Sequence, residues 1–367
     1  MVRSVAKSEH VFAYPVGILL FNRPEYAEKV LASLAAQTVP IDSDQLTIIR
    51  DGYQGSRDES LGRPDRTAEV DRLAREYFPD AQHVSHDSNI GIARAFDELE
   101  RHVFRNPRNP WGAFFEEDFL VDADYLDVMT RLITLADPRP EIVQVNATGD
   151  VQCELSRGEK SLYPAAHSWA FALRRTHWSE RASIVSDYLR VVGDAPYWLR
   201  DDRRVLMTMA HRGIQLAGTS QDAVKTAAVL AHGRASIVTG VAHGEYIGRI
   251  GEHFVESSFE RLGFEDKRRA RPRATLPAAI SDTFARDLVK ETVVYRTEQA
   301  VNIMLDDKEH LSSSLEHAER ISDDLRQQIT HIRSSLSWRL AAPVRWLGRI
   351  RPSRGGTSHS STKQGEG

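Results

Sequence analysis

This 367-residue chain has almost no cysteine. Cys153 is the only one, which excludes an intrachain disulfide and fits a reducing compartment. It has no apolar stretch long enough to span a bilayer. Val11 to Phe21 comes nearest, but it is short, interrupted by Pro15 and followed by a helical pattern rather than a small-residue cleavage site, so it does not read as a signal peptide. The formal net charge is -4, which supplies neither the basic footprint of a nucleic-acid binder nor an acidic tail. The expectation is a cytoplasmic protein with no nucleic-acid partner, any membrane contact being peripheral, on the inner face of the plasma membrane.

The common chemistry-bearing motifs are missing too. Without G-x-G-x-x-G a dinucleotide site is not expected, and without a Walker lysine loop neither is a P-loop ATPase. No H-E-x-x-H and no paired Cys support a dedicated zinc site. No G-x-S-x-G elbow supports an α/β-hydrolase.

What is present is an alternation of strand-like and helix-like segments. Val16 to Phe21 is a continuous apolar run; Asn22 can cap the helix that follows, with Pro24 in its first turn and Glu25 at its positive end. Leu46 to Ile49 is a second strand, ending at Arg50-Asp51-Gly52, and a helix over about 66–78 follows. A short strand near His83–Ser85 precedes a helix opened by Asn89-Ile90-Gly91, whose Ile92, Ala93, Phe96, Leu99 and Val103 face inward. Then come a strand from Trp111, a helix around Tyr125 to Leu135 and a strand over Glu141 to Val145. This rhythm implies an α/β fold, a mostly parallel sheet with helices on both faces. The middle, from about Ala147 to Gly251, is less regular and rich in aromatics and His, as substrate-binding loops are.

The most informative segment is Trp111-Gly112-Ala113-Phe114-Phe115-Glu116-Glu117-Asp118-Phe119. Its apolar part reads as a buried parallel strand that delivers three carboxylates at its carboxyl end, where open α/β sheets bind ligands. Packed together the acids repel one another, and a divalent cation holding a phosphate would relieve that repulsion. A solvated acidic turn is the plainer alternative. Mg²⁺ or Mn²⁺, bound by one or two carboxylates plus substrate phosphate oxygens, fits this inventory.

From about Val301 the texture changes. Val301, Met304, Leu311, Leu315, Ala318, Leu325, Ile329, Ile332 and Leu336 occupy a and d positions of one heptad frame, interrupted by Lys308 and Ser322. Such a long helix would form a coiled coil between copies of the chain, a homo-oligomer, or else pack back on the catalytic domain. Ser337 to Arg351 mixes two Trp and four Arg with aliphatics, which suits a membrane interface or a partner helix. From Pro352 on, Ser, Gly and Thr dominate, as in disordered tails. The expected organisation is a catalytic domain over 1–285, a helical coiled coil over 286–336, a basic amphipathic segment over 337–351 and a tail over 352–367.

Phe21-Asn22-Arg23-Pro24 with its helix, the strand ending in Asp51-Gly52, Asn89-Ile90-Gly91-Ile92-Ala93-Arg94 and Glu116-Glu117-Asp118 occur in the order seen in A-type (GT-A) glycosyltransferases. Over about residues 12–255 the chain resembles inverting family-2 enzymes and the N-acetylglucosaminyltransferase I group. Ser335 to Arg345 also resembles the tail that follows a coil in many bacterial polysaccharide glycosyltransferases. The resemblance implies a metal-dependent, inverting transferase that uses a nucleotide-sugar donor and a glycan or lipid-linked acceptor in surface polysaccharide synthesis.

It implies these roles. Asp118 ligates the metal that bridges the donor's diphosphate, and Glu117 sits near the ribose or the metal's water shell. Glu116 is a weaker candidate that still belongs to the strand. The family-2 pattern usually has Asp at this first acidic site, which leaves open which carboxylate takes the metal. Asp51 contacts base or ribose, or is a turn Asp before Gly52. Phe21, Asn22 and Arg23 line the nucleotide pocket, and Arg94 reaches a phosphate or forms a surface salt bridge. Asp202 or Asp201 is the base, with Asp194 and Asp222 behind them; the alternative is a helix N-cap followed by Arg203 and Arg204 in ion pairs. His243 or His253 supplies the second metal ligand or is structural. Trp169 and Trp198 stack on sugars or fill the core. The competing readings are a sugar-phosphate nucleotidyltransferase, which would want a Gly-rich basic loop where Phe21-Asn22-Arg23-Pro24 stands, and a non-catalytic sugar-nucleotide-binding assembly factor.

Overall fold

The structure is a computed structural model, and it describes residues 11–53, 64–149, 161–165, 168–193, 200–216, 218–249, 259, 275–294 and 327. The chain divides into a unit Met1–Val301 and a second, Asn302–Gly367, of which only Gln327 is described. Gln327 apart, residues 301–336, the segment 337–351 and the tail therefore lie outside the described residues, as do Cys153, Asp194, Trp198 and His253.

The alternating pattern becomes β1 (Val16–Leu20), α1 (Pro24–Ala35), β2 (Leu46–Arg50), α2 (Pro64–Tyr77), β3 (Gln82–Ser85), α3 (Ile92–Val103), β4 (Trp111–Glu116), β5 (Phe119–Val121), α4 (Tyr125–Ala136) and β6 (Ile142–Asn146). Next come β7 (Leu162–Pro164), β8 (Ala170–Arg174), α5 (Arg175–Glu180), α6 (Ala182–Val192), α7 (Asp202–His211), α8 (Gln221–Ala231), β9 (Ala235–Thr239) and β10 (Gly244–Tyr246). The main sheet has eight strands in the order β3-β2-β1-β4-β8-β6-β9-β7.

The first half of that sheet is parallel, as the alternation implies. The second half is mixed: β8 runs antiparallel to both β4 and β6, and β7 runs antiparallel to β9. The antiparallel strand β8 comes from the stretch read as irregular, and its Ala170, Phe171, Ala172 and Leu173 are all buried. Alternate residues of the strands point to opposite faces. Ile18, Leu20, Ile48, Ala113 and Phe115 join one core with α1, α2 and α4; Leu19, Ile49, Phe114, Phe171 and Leu173 join another with α3. Helices thus cover both faces. A smaller cluster ties α6, α7 and α8 together through Ile184, Tyr188, Val205, Met209 and Val224.

Parallel register brings the carboxyl ends of β1, β2, β3 and β4 to one edge, with Leu20 opposite Arg50, Leu19 opposite Glu116 and Arg50 opposite Ser85. The chain leaves β1 outward to β2 and β3, then returns to place β4 on β1's other side. The β1/β4 boundary is therefore a topological switch point, and a crevice at the carboxyl ends there is where open α/β sheets bind ligands.

Candidate active site

At the switch point the loop after β1 and the acidic run after β4 close on each other. Glu117 is 2% exposed. Its Oε2 accepts the Phe21 backbone N–H at 2.7 Å and its Oε1 accepts Arg23 Nε at 2.5 Å. Arg23 Nη2 reaches Asp118 Oδ2 at 2.8 Å, and its guanidinium lies 5.2 Å from the centre of the Tyr26 ring. Burial lowers the Arg23 pKa; the Glu117 and Asp118 carboxylates outweigh it and raise that pKa overall. Burial raises Glu117 above the usual carboxylate range, opposed by Arg23 and the Phe21 N–H. Much of the repulsion within the acidic run is thus relieved by Arg23, more than ninety residues away in the chain, a partner that local sequence does not reveal.

Arg23, not Asn22, holds the N-cap position of α1, and no side chain caps that helix. The expected Asn22 cap falls one residue too early. Asn22 is buried instead, and its carbonyl accepts Arg66 Nε at 2.9 Å.

Asp118 keeps one oxygen apart from this pairing. Its Oδ1 is buried and has no hydrogen-bond partner among the described residues. The Tyr246 hydroxyl bonds to the same carboxylate, and burial followed by the Asp118 charge raises the Tyr246 pKa. Glu116 is the last residue of β4. Burial, then the charges of Asp118 and Asp222, push it well above the usual carboxylate range.

Asp222 lies in the first turn of α8, behind the N-cap Ser220, whose hydroxyl accepts from Ala223 N. Solvent reaches Asp222, and Gln221 Nε2 donates to its Oδ1 at 2.7 Å. Its pKa is raised by surrounding protein, with Lys225 and then Arg181 opposing. The structure thus gathers Phe21, Arg23, Glu116, Glu117, Asp118 and Asp222 around one strand edge. Gln221 and Asp222 fall in a stretch that the sequence presents as irregular; Ser220 followed by an apolar run is the signal for a capped helix.

The Asp51 and Asn89 motifs meet as well. Asp51 Oδ1 accepts Gly52 N at 2.8 Å and Ile90 N at 2.9 Å, and its Oδ2 accepts Gly91 N at 3.1 Å. Burial raises its pKa and these N–H groups oppose the rise. Gly91 caps α3 with φ 82°, a backbone that favours glycine, and Asn89 Oδ1 holds its N–H at 2.9 Å. A Cβ on Gly52 would lie 2.2 Å from the Ser88 backbone, so this contact needs glycine as well.

Other expected residues stand elsewhere. Asp201 is the N-cap of α7 and accepts Arg204 N at 2.9 Å. Asp202 Oδ1 accepts Arg200 Nε at 2.7 Å and Thr219 Oγ1 at 2.6 Å. Burial would raise Asp202, but the Thr219 and Arg200 hydrogen bonds win and hold it below its ordinary value. Arg94 Nε donates to the Gly193 carbonyl at 2.5 Å, at the end of α6. His243 stands at the far end of a two-stranded ribbon in which Gly244 faces Val121 and Tyr246 faces Phe119. Its Nδ1 lies 3.3 Å from Asp124 Oδ1, so it does not converge with Asp118. Trp169 stacks on Tyr246 with centroids 4.6 Å apart and on Phe119 at 6.0 Å, packed against the core.

Among the described residues, no group of three or more His, Cys, Asp or Glu side chains is arranged to hold a metal. The orphaned Asp118 Oδ1 is nevertheless a hard oxygen donor beside further carboxylates. One protein oxygen completed by phosphate and water suits Mg²⁺ or Mn²⁺.

No protein-family model and no curated protein matches this chain. It is similar to crystallised S. aureus TarS 1-349 with UDP, at 11% identity and a TM-score of 0.34, over 62% of this chain and 56% of that one. It is similar to glucosyl-3-phosphoglycerate synthase from Mycobacterium tuberculosis, in complex with Mn²⁺, UDP and glucosyl-3-phosphoglycerate, at 13% identity and a TM-score of 0.28. That match covers 48% of this chain and 65% of that one. A cytidylyltransferase from Leptospira borgpetersenii is similar at 9% identity and a TM-score of 0.29, over 48% and 65% of the two chains. The matched region spans less than two thirds of each of these three structures.

Proposed function

We propose that this protein is a glycosyltransferase that moves a sugar from a nucleoside-diphosphate sugar to a hydroxyl acceptor with inversion. The observation that carries the reading is the junction at the switch point. The β1–α1 loop is pinned to the acidic run through Glu117 and Arg23, with the buried Asp118 Oδ1 left unpartnered.

The roles follow from what each side chain touches. Phe21, Asn22 and Arg23 form the donor-side loop, and Glu117 holds it in place. Asp118 Oδ1 is the atom that would hold Mn²⁺ or Mg²⁺, whose chemistry is to neutralise charge on the departing diphosphate. Arg23 adds a fixed positive charge at the same edge. Asp51 positions the neighbouring loop by clamping Ile90 and Gly91. Asp222 is the base, in place of Asp202 or Asp201. It is open to solvent and raised in pKa, whereas Asp202 is tied to Arg200 and Thr219 and Asp201 caps its helix. Asp222 takes the proton from the acceptor hydroxyl as that oxygen bonds to the anomeric carbon. The bond from that carbon to the diphosphate oxygen breaks, and nucleoside diphosphate leaves.

The test is release of nucleoside diphosphate from a panel of sugar nucleotides with Mn²⁺. Wild type is expected to release it and Asp118→Ala to lose about 100-fold or more. Pyrophosphate as product would establish a nucleotidyltransferase instead; binding without release would establish the assembly-factor reading.

A further inference from the structure

Three charged side chains are buried together beside Asp222, and none has a role in the reaction just described. Glu100 on α3 is 1% exposed. Its Oε1 accepts Arg181 Nη2 at 2.6 Å and pairs with Lys225 Nζ at 2.8 Å. Arg181 and Lys225 are buried too, and Lys225 Nζ lies 4.1 Å from the centre of the Phe96 ring. Burying ions is costly, and apolar replacement of such a triad is often neutral or stabilising, so stability explains it poorly. Its net charge is positive, and it stands next to carboxylates. Lys225 follows Asp222 by three residues on α8, which puts both on one face of the helix.

We propose that Lys225 is a positioning residue for the base: its ammonium, anchored by Glu100 and Arg181, keeps Asp222 ionised so that it can take the acceptor's proton. The inference rests on the transferase reading. The groups that act on Asp222 are Lys225 on its own helix, Arg181 before α6, Glu100 on α3 and Glu116 at the end of β4. Those that act on Lys225 are Glu100, Arg181 and Asp222, and its charge is felt by Asp97 on α3. The signs agree. The surrounding protein raises Asp222, Lys225 and Arg181 oppose the rise, and Glu100 adds to it. Burial lowers Lys225, and Glu100 opposes that.

The experiment follows the acidic limb of the pH profile for nucleoside diphosphate release from UDP-glucose, or from the sugar nucleotide giving most release in the panel. In parallel, carboxyl ¹³C NMR of labelled aspartate, with Asp222 assigned through Asp222→Asn, reads the same titration without substrate. Lys225→Met is expected to move both upward by about one to two pH units. Lys225→Arg is expected to restore the wild-type position, and Glu100→Gln to move both downward. Shifts of opposite sign cannot come from general loosening of the fold. If Lys225→Met does not fold, Lys225→Gln and Glu100→Gln carry the test. Unshifted titrations, or shifts of the same sign in the Lys225 and Glu100 variants, overturn the proposal. Full turnover by Asp222→Asn would overturn the assignment of the base instead, while the NMR titration still reports on the Lys225 charge.

Discussion

Glu117→Met removes the pin between the β1–α1 loop and the acidic run. The Phe21 N–H would lose its 2.7 Å acceptor, and an unsatisfied buried donor costs about 1–3 kcal/mol. Arg23 would lose its 2.5 Å partner; breaking a buried pair from one side costs about 3–5 kcal/mol, reduced here because Asp118 still holds Nη2 at 2.8 Å. The expected loss is about 3–5 kcal/mol, a large part of the roughly 5–15 kcal/mol that folded domains have. Urea unfolding followed by circular dichroism measures it, and the cycle with Arg23→Met should show coupling of about 1–3 kcal/mol. A loss below about 1 kcal/mol, or strictly additive single variants, would refute the idea that this junction is a buried ion-paired pin.

Gly52→Ala should cost about 1–3 kcal/mol, because its Cβ would meet the Ser88 backbone at 2.2 Å; a neutral result in urea unfolding would show that the loop can shift freely. His177 has a fully buried side chain, and burial, followed by the Arg181 charge, drives its pKa down to about 3 from 6.5. Between those values the unfolded chain takes up a proton that the folded chain does not. The contribution is therefore fully present above about pH 6.5 and is lost as pH falls toward 3, by at most about 4–5 kcal/mol. His177→Phe should flatten the pH dependence of unfolding in that window, and an unchanged slope would count against it. Asp202→Asn should leave turnover within about threefold of wild type, since the ion-paired carboxylate is a poor base; a fall of about 100-fold or more would return Asp202 to that role.

Much of the first half was legible because its signals are local. The apolar runs of β1, β2, β4 and β6 and the helical periodicities of α1, α3 and α4 fall within a residue or three of their observed limits. The acids of the Glu116–Asp118 run do stand at the carboxyl edge of a parallel strand. What the sequence did not disclose depends on distant partners. Nothing near Arg23 announces Glu117, and nothing near Lys225 announces Glu100 on α3 and Arg181 between α5 and α6. Strand β8 is hidden in the sequence because its order in the sheet is out of sequence: it inserts between β4 and β6 from a segment with aromatic and polar neighbours. Asp202 stands out as a candidate base in the sequence, and its pairing with Arg200, two residues before it, shows only in the structure.

The central claim is that Asp118 and its ion-paired surroundings hold the diphosphate of a sugar nucleotide. Titration calorimetry of the full chain with UDP, GDP and CDP in the presence and absence of Mn²⁺ tests it most directly. Metal-dependent binding of at least one of them is expected, weakened about tenfold or more by Asp118→Asn in a protein that remains folded. Binding that is indifferent to both Mn²⁺ and Asp118, or no binding of any nucleotide by the folded wild type, would contradict it.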